Sequence, residues 1–270
     1  MSVGLAAVAV LFPISAFALE SGKITIEGVY ENVQTDMKDY NANNLNSAAG
    51  NLQTQRGLLK ITDKGFASGA YLSLIGGISF SGKFNGGSVT NNGASTNSQT
   101  LNFDQSSPTF GAEIGIDLLG SSSMFHLIPS LSWMHTSFSG TSESFGPNGL
   151  SLAGANSAAI TSVASNYTET NFQARLTLAI DLAGGGGGQN YSTGPSSGFT
   201  IYGGAMENVD SLQGTTVYNG GPTFEQYSFS TARPEGVFAG AILNLGGLAI
   251  NGEIQAISTT TYRGSLSYSF

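Results

Sequence analysis

Two histidines and no cysteine leave this chain few routes to covalent chemistry. His135 and Ser137 stand two residues apart, so on a β-strand both point to one face. A serine beside a histidine base can attack an ester. The pair lacks a clear third member: no Asn follows Ser137, and Glu143 is near His135 only in sequence. His135 therefore reads as a rim residue and His126 as polar lining near a turn. The absence of Cys removes thiolate catalysis, disulfides and cysteine metal sites. Asp36, Asp39 and Asp63 have no calcium-loop spacing, and the glycines at 184–188 are not followed by the Lys-Ser/Thr of a phosphate loop. No catalytic, cofactor or metal site emerges.

The chemistry that is present lies in charges placed by alternation. Ten segments show period two, the signature of half-apolar strands. In 23–31, Ile24, Ile26, Gly28 and Tyr30 oppose Thr25, Glu27 and Glu31; in 55–61, Leu59 and Ile61 oppose Arg56 and Lys60. Segment 71–83 sets Leu72, Leu74, Ile78 and Phe80 against Tyr71, Ser73, Ser79 and Lys83. The fourth sets Phe110 to Leu118 against Glu113 and Asp117, and the fifth Phe125 to Trp133 against His126 and Ser130. The sixth opposes Phe172 to Leu182 with Gln173, Arg175 and Asp181. Segments 199–206, 236–245 and 248–257 follow, the last with Glu253 on its polar side; Phe238 and Ile242 blur the parity of 236–245. Ten charges, Glu27, Glu31, Arg56, Lys60, Glu113, Asp117, Arg175, Asp181, Glu253 and Arg263, thus share the less apolar faces. A one-residue slip would turn them all outward.

The last segment is the most telling. From Phe270 backwards, Tyr268, Leu266, Gly264 and Tyr262 alternate with Ser269, Ser267, Ser265 and Arg263, up to the terminal residue. This resembles the closing strand of bacterial outer-membrane β-barrels, whose assembly signal is a C-terminal strand ending in Phe. The resemblance extends, through pattern, over nearly all of 19–270, without a subfamily motif. It implies a transmembrane antiparallel up-and-down β-barrel, all-β, of ten strands, with twelve or eight as alternatives. It also implies outer-membrane lipids as partners and engagement of the barrel-assembly machinery through the C-terminal strand. Residues 1–18 are uncharged after Met1 and close on Ala16-Phe17-Ala18, which reads as a signal peptide lacking a positive n-region, before a barrel domain at 19–270. The implied location is the outer membrane of a Gram-negative bacterium.

Composition agrees with this reading. Charged residues make up 10% of the chain, against about 25% in a typical soluble domain, and mean hydropathy is +0.05. No 18-residue apolar run follows the leader, so helical spans are not expected. A net charge of −8 argues against nucleic acid. Long polar stretches at 33–53, 85–107, 139–166 and 208–233 read as surface loops, and 63–69, 120–123 and 245–247 as short turns. The stretch 183–198 is a flexible linker where a short turn is expected, and 217–230 reads as a loop hairpin or two further strands. Trp133, Tyr262, Tyr268 and Phe270, with Phe138 and Tyr167, read as interfacial aromatics. The ten charges then line a lumen, either as a weakly cation-preferring pore or as a filled interior.

The expected function is small-solute or ion passage of a porin-like kind, or a structural membrane component with exposed loops, and not an enzyme. An adhesin or ligand-binding barrel is the alternative. An outer-membrane lipid hydrolase is a more distant one: His135 and Ser137 resemble the His-x-Ser arrangement of lipid A deacylases but lack its following Asn. A secreted soluble β-sandwich is the remaining fold alternative. Oligomeric state is open.

Overall fold

In a computed structural model, the described residues are 24–39, 50–67, 69–86, 89–91, 94–97, 99–103, 106–120, 123–139, 142–145, 163–183, 197–218, 224–257 and 259–270. The expected signal peptide (1–18) and most of the 183–198 linker lie outside them. Ten strands form the wall: β1 (Ile24–Asp39), β2 (Gly50–Ala67), β3 (Ala70–Gly86), β4 (Ser107–Ile116) and β5 (Phe125–Ser139), then β6 (Val163–Ala183), β7 (Ser197–Tyr218), β8 (Glu235–Leu245), β9 (Leu248–Ile257) and β10 (Thr259–Ser269). Each pairs antiparallel with its sequence neighbour. The ring closes where β10 meets β1, from Thr25↔Ser269 to Thr35↔Thr259. The Phe270 N–H donates to the Ile24 carbonyl at 3.0 Å, so the terminal aromatic is part of the closure.

The parity is inside out. On β1, Thr25, Val29, Glu31, Val33, Thr35 and Met37 point inward and are buried, while Ile26, Gly28 and Tyr30 face outward and are exposed. The same holds around the ring, with Leu74, Leu131, Phe172 and Leu266 all more than half exposed. On every long strand this apolar outer band ends at one level. Above Tyr30 the outer face reads Asn32, Gln34, Asp36; above Trp133 it reads His135, Ser137; above Tyr262 it reads Thr260. Tyr268 and Phe270 pack edge to face, centroids 4.9 Å apart, at the opposite margin.

The strands outrun the expected segments. β1 continues to Asp39 and β2 starts at Gly50, inside the expected 33–53 loop; β7 runs to Tyr218, and Phe224–Thr231 is also strand, inside 208–233. Gln99–Phe103 extends β4 upward within 85–107. Both faces of these extensions are polar or sheltered, so the apolar alternation that marks the band disappears there while the backbone ladder continues.

The upper wall also changes strand number. The β9–β10 hairpin turns back at 257–259, with Ile257 held at φ 99°, a conformation a β-branched residue rarely adopts. Phe224–Thr231 takes the place of this hairpin above, pairing Ser211–Val217 of β7 on one side and Met37–Asp39 of β1 on the other. Segment 217–230 is thus a hairpin rising from β7 rather than two extra spanning strands. Asp210 ties the junction together. Its carboxylate accepts Thr35 Oγ1 at 3.0 Å and the Asn171 amide, while its N–H donates to Thr231 Oγ1 at 2.6 Å.

Two local devices set the register. A bulge between Gln55 and Arg56 on the β2–β3 ladder shifts β3, so Phe84 faces inward and Lys83 outward. This corrects the expectation that Lys83 shares the face of Tyr71: an extra residue at a bulge reverses parity beyond it. Inside the wall, aromatics lie flat on glycines directly across the ladder, as in Tyr202↔Gly240, Phe238↔Gly204 and Tyr167↔Gly214. A Cβ at Gly240 would meet the Tyr202 ring and the Gly252 carbonyl, whereas one at the outward Gly252 meets nothing within 4 Å. Gly240→Val is therefore expected to cost about 1–3 kcal/mol by overpacking, read as a lower urea midpoint of the refolded barrel. Gly252→Ala should leave that midpoint unchanged.

Candidate functional site

The lumen is the site, and it is filled in layers. Cross-strand register brings opposite charges face to face on the inner wall: Glu27↔Lys60 and Glu31↔Arg56 between β1 and β2, Glu31↔Arg263 between β1 and β10, and Glu253↔Arg263 between β9 and β10. Long side chains then cross the interior. Arg56 on β2 ion-pairs with Glu169 on β6 and lies 3.8 Å from Glu31. Arg263 Nε donates to Glu31 at 2.8 Å, and its Nη1 is 3.7 Å from Glu253. Arg175 on β6 donates to Glu253 at 2.6 Å and stacks its guanidinium 3.8 Å above the Phe238 ring. Lys60 donates to Glu113 at 2.8 Å, and Tyr71 OH donates to the same carboxylate at 2.7 Å.

Three carboxylates and three arginines are thereby linked in one network that begins and ends on β6, and Lys60 with Glu113 forms a separate pair beside it. This matters energetically because a buried charge left single costs several kcal/mol, whereas a paired and hydrogen-bonded one is tolerated. Beneath the network lies a cavity of about 140 Å³ lined by Glu27, Lys64, Ser130, Thr177 and Asn251 among others. Between the network and the polar junction at Asp210 a second cavity measures only about 30 Å³, room for little more than a water.

Above the charges sits an apolar ring. Met37, Leu52, Phe84, Phe103, Phe138, Tyr167, Leu212 and Phe229 form one packed cluster, none more than 5% exposed. Each comes from a different strand of the eight-stranded upper wall. Phe103 stacks on Phe138 at 4.3 Å, and Phe84 meets Phe229 at 4.5 Å. Phe138 and Tyr167 thus point into the lumen. The expectation that they are interfacial aromatics is corrected by parity, since Phe138 shares the inward face of His126, not the outward face of Trp133. Trp133, Tyr262, Tyr268 and Phe270 do lie on the outward face.

At the end where β1 starts and β10 finishes, His126 is fully buried between two carboxylates, Nδ1 2.7 Å from Asp117 and Nε2 3.2 Å from Asp181. Thr200 donates to Asp181 at 2.6 Å. This clasp joins β5, β6 and β7 to the turn after β4. Of the ten charges expected inside, seven thus meet an oppositely charged partner within the lumen, Asp117 and Asp181 bond to His126, and Glu27 accepts a hydrogen bond from Ser265. Glu169, Asp210, Asn171 and the ring residues lie in stretches read as loops or beyond the expected strand ends. Their signal was the inner face alone, such as Tyr167-x-Glu169-x-Asn171.

The outer wall carries the serine–histidine pair. Ser137 Oγ lies 3.3 Å from His135 Nε2, and His135 Nδ1 lies 3.2 Å from Thr170 Oγ1, so a hydroxyl stands where an orienting acid would be needed. The strand between them is in full register with β6, Thr136↔Glu169 and Ser137↔Thr168. Backbone N–H groups committed to a ladder are not free to stabilise an oxyanion. The side chain of Glu143 lies outside the described residues. Among the described residues no group of three or more His, Asp or Glu could hold a metal.

An exposed apolar band around a closed, charged interior is the reverse of a soluble core. The fold is that of a transmembrane β-barrel. No family model matches the chain, and no curated protein does. Among solved structures it is similar to the outer membrane protein OprG from Pseudomonas aeruginosa, at 10% identity over 93% of this chain and 97% of that one, TM-score 0.35. It is also similar to the transport unit of the autotransporter AIDA-I from Escherichia coli, at 8% identity over 97% and 94%, TM-score 0.36. A mutant of Rh. blastica porin aligns at 8% identity with TM-score 0.15. These likenesses are slight, and the barrel rests on the chain's own wall.

The network predicts strong coupling. Arg56→Met strands Glu169 and should destabilise by about 3–5 kcal/mol in urea titration, whereas Arg56→Met/Glu169→Met should recover much of that loss. A double-variant loss equal to the sum of the Arg56→Met and Glu169→Met losses would show that the pair is not coupled.

Proposed function

We propose that this protein is an outer-membrane barrel of a Gram-negative bacterium that serves as a structural, loop-bearing component and not as an open pore. The observation that carries this is the apolar ring above a charge-compensated network: water and ions meet a hydrophobic constriction and then a set of cross-lumen ion pairs. The apolar band and its bounding aromatics support membrane insertion, with both termini on the periplasmic side. The C-terminal strand, paired to β1 up to Phe270, suits recognition by the assembly machinery. Among the described residues the Ser137–His135 pair meets a hydroxyl, Thr170, and no acid, which supports a barrel without catalysis.

Surface binding is the second reading, favoured by the wall itself. It rises above the aromatic margin on eight strands and so holds the neutral Asn-, Ser-, Thr- and Gly-rich connections clear of the membrane.

Planar-bilayer conductance of residues 19–270, after a heat-dependent gel shift confirms folding, tests the closed lumen. The wild type should insert and give no discrete steps. Replacing Phe84, Phe103 and Phe138 by Ser together with Arg56 and Arg263 by Ser should produce steps. Steady cation-selective steps from the wild type would instead establish a pore.

A further inference from the structure

The outer wall is not uniform around its circumference. On β10, β1, β2 and β3 the apolar band holds a shallow, open groove whose floor is glycine: Gly264, Gly28 and Gly76. Tyr30 stands beside it, and the Phe80 ring lies over Gly57, where a Cβ would come within 2.5 Å of it. A Cβ at Gly76 or Gly264 would meet nothing within 4 Å, so the floor is open to whatever covers the barrel there.

Directly above this groove the same strands present rows of amides. Asn32↔Gln55, Gln34↔Gln53 and Asp36↔Asn51 are cross-strand neighbours on the outward face. Asn51 Nδ2 donates to Asp36 at 3.0 Å, which engages the one carboxylate of the rows. Lys83 lies opposite Gln53 on β3, and Lys38 stands two residues beyond Asp36 on β1. The far wall differs in sign: at the corresponding margin of its apolar band Glu207 on β7 is directly opposite Glu235 on β8, both exposed.

We propose that the β10-β1-β2-β3 face seats one phosphorylated glycolipid of the outer leaflet. This rests on the outer-membrane placement given above. The acyl chain occupies the glycine-floored groove, where the missing side chains leave hydrocarbon-lined space. The sugar hydroxyls meet the amides of Gln34, Gln53 and Gln55, which both donate and accept. Lys83 and, further along β1, Lys38 supply the cationic partners for the headgroup's phosphates. The acidic pair on the opposite wall repels the same headgroup, so the lipid binds one side of the barrel.

The test uses the refolded protein in detergent with native mass spectrometry, titrated with diphosphoryl lipid A and, in parallel, phosphatidylglycerol. Lipid A should bind more tightly and with one molecule retained. Lys38→Gln/Lys83→Gln should weaken it roughly tenfold or more, at about 1 kcal/mol per lysine. Gly76→Leu/Gly264→Leu, which fills open space, should weaken it while leaving the heat-dependent gel shift intact. Glu207→Gln/Glu235→Gln should not weaken it. Equal affinity for the two lipids, or no effect of the lysine and glycine variants, would overturn the proposal. So would equally tight binding of the deacylated glucosamine disaccharide phosphate, which would identify a soluble glycan as ligand. Failure of the outer-membrane reading shows separately, as a chain that never inserts into lipid vesicles.

Discussion

A strand in hydrocarbon can leave no backbone N–H or C=O unpaired, and closure of the sheet is the only β solution. Everything else in this molecule follows from that requirement. β10 must find β1, so the closing strand is paired along its length. Closure also removes the choice of which face is wet: side chains alternate, and the polar half is driven inside. A barrel of ten strands is narrow, with an interior little wider than its own side chains fill. Charges placed there must then meet one another.

The interior meets that demand by register before it does so by reach. Glu31 is flanked on both neighbouring strands by arginines, and Glu253 by Arg263, so half of each ion pair is set as soon as the ladder forms. The crossings from β2 to β6 and from β6 to β9 need long side chains spanning the lumen, and Lys60 reaches past β3 to Glu113 on β4. The upper wall solves a different problem. There the short β9–β10 hairpin reduces ten strands to eight, Asp210 and its hydroxyl and amide partners cover the junction, and the narrower ring is filled by one apolar side chain from each strand.

The membrane band was legible in the sequence because lipid enforces contrast between faces. The ten charges from Glu27 to Arg263 stand on the inner face of the closed wall or at its mouth, whereas Lys83 does not. The pairings Glu31–Arg263 and Arg175–Glu253 were not legible, since they depend on which strands become neighbours around the closed ring. The extensions above the band were lost for a related reason. Once Asn32, Gln34 and Asp36 replace Ile26 and Tyr30 on the outer face, water bathes both flanks and periodicity in hydropathy fades. Met37, Leu52, Leu212 and Phe229 then look like isolated apolar residues in polar loops. Lys83 was misplaced by a bulge, which leaves no mark in composition. Phe138 and Tyr167 were misassigned by residue type, although parity alone places them inside.

The central claim is a lumen sealed on both sides in an inserted barrel. The absence of native cysteine makes thiol accessibility the most direct measurement. Ser107 is inward and buried, below the apolar ring and above the charged network, whereas Gln53 is outward and exposed above the aromatic margin. In oriented vesicles a membrane-impermeant maleimide should label Gln53→Cys from one side only and Ser107→Cys from neither. Rapid labelling of Ser107→Cys in the folded barrel would mean that the ring or the network stands open, and the account of a closed barrel would fall.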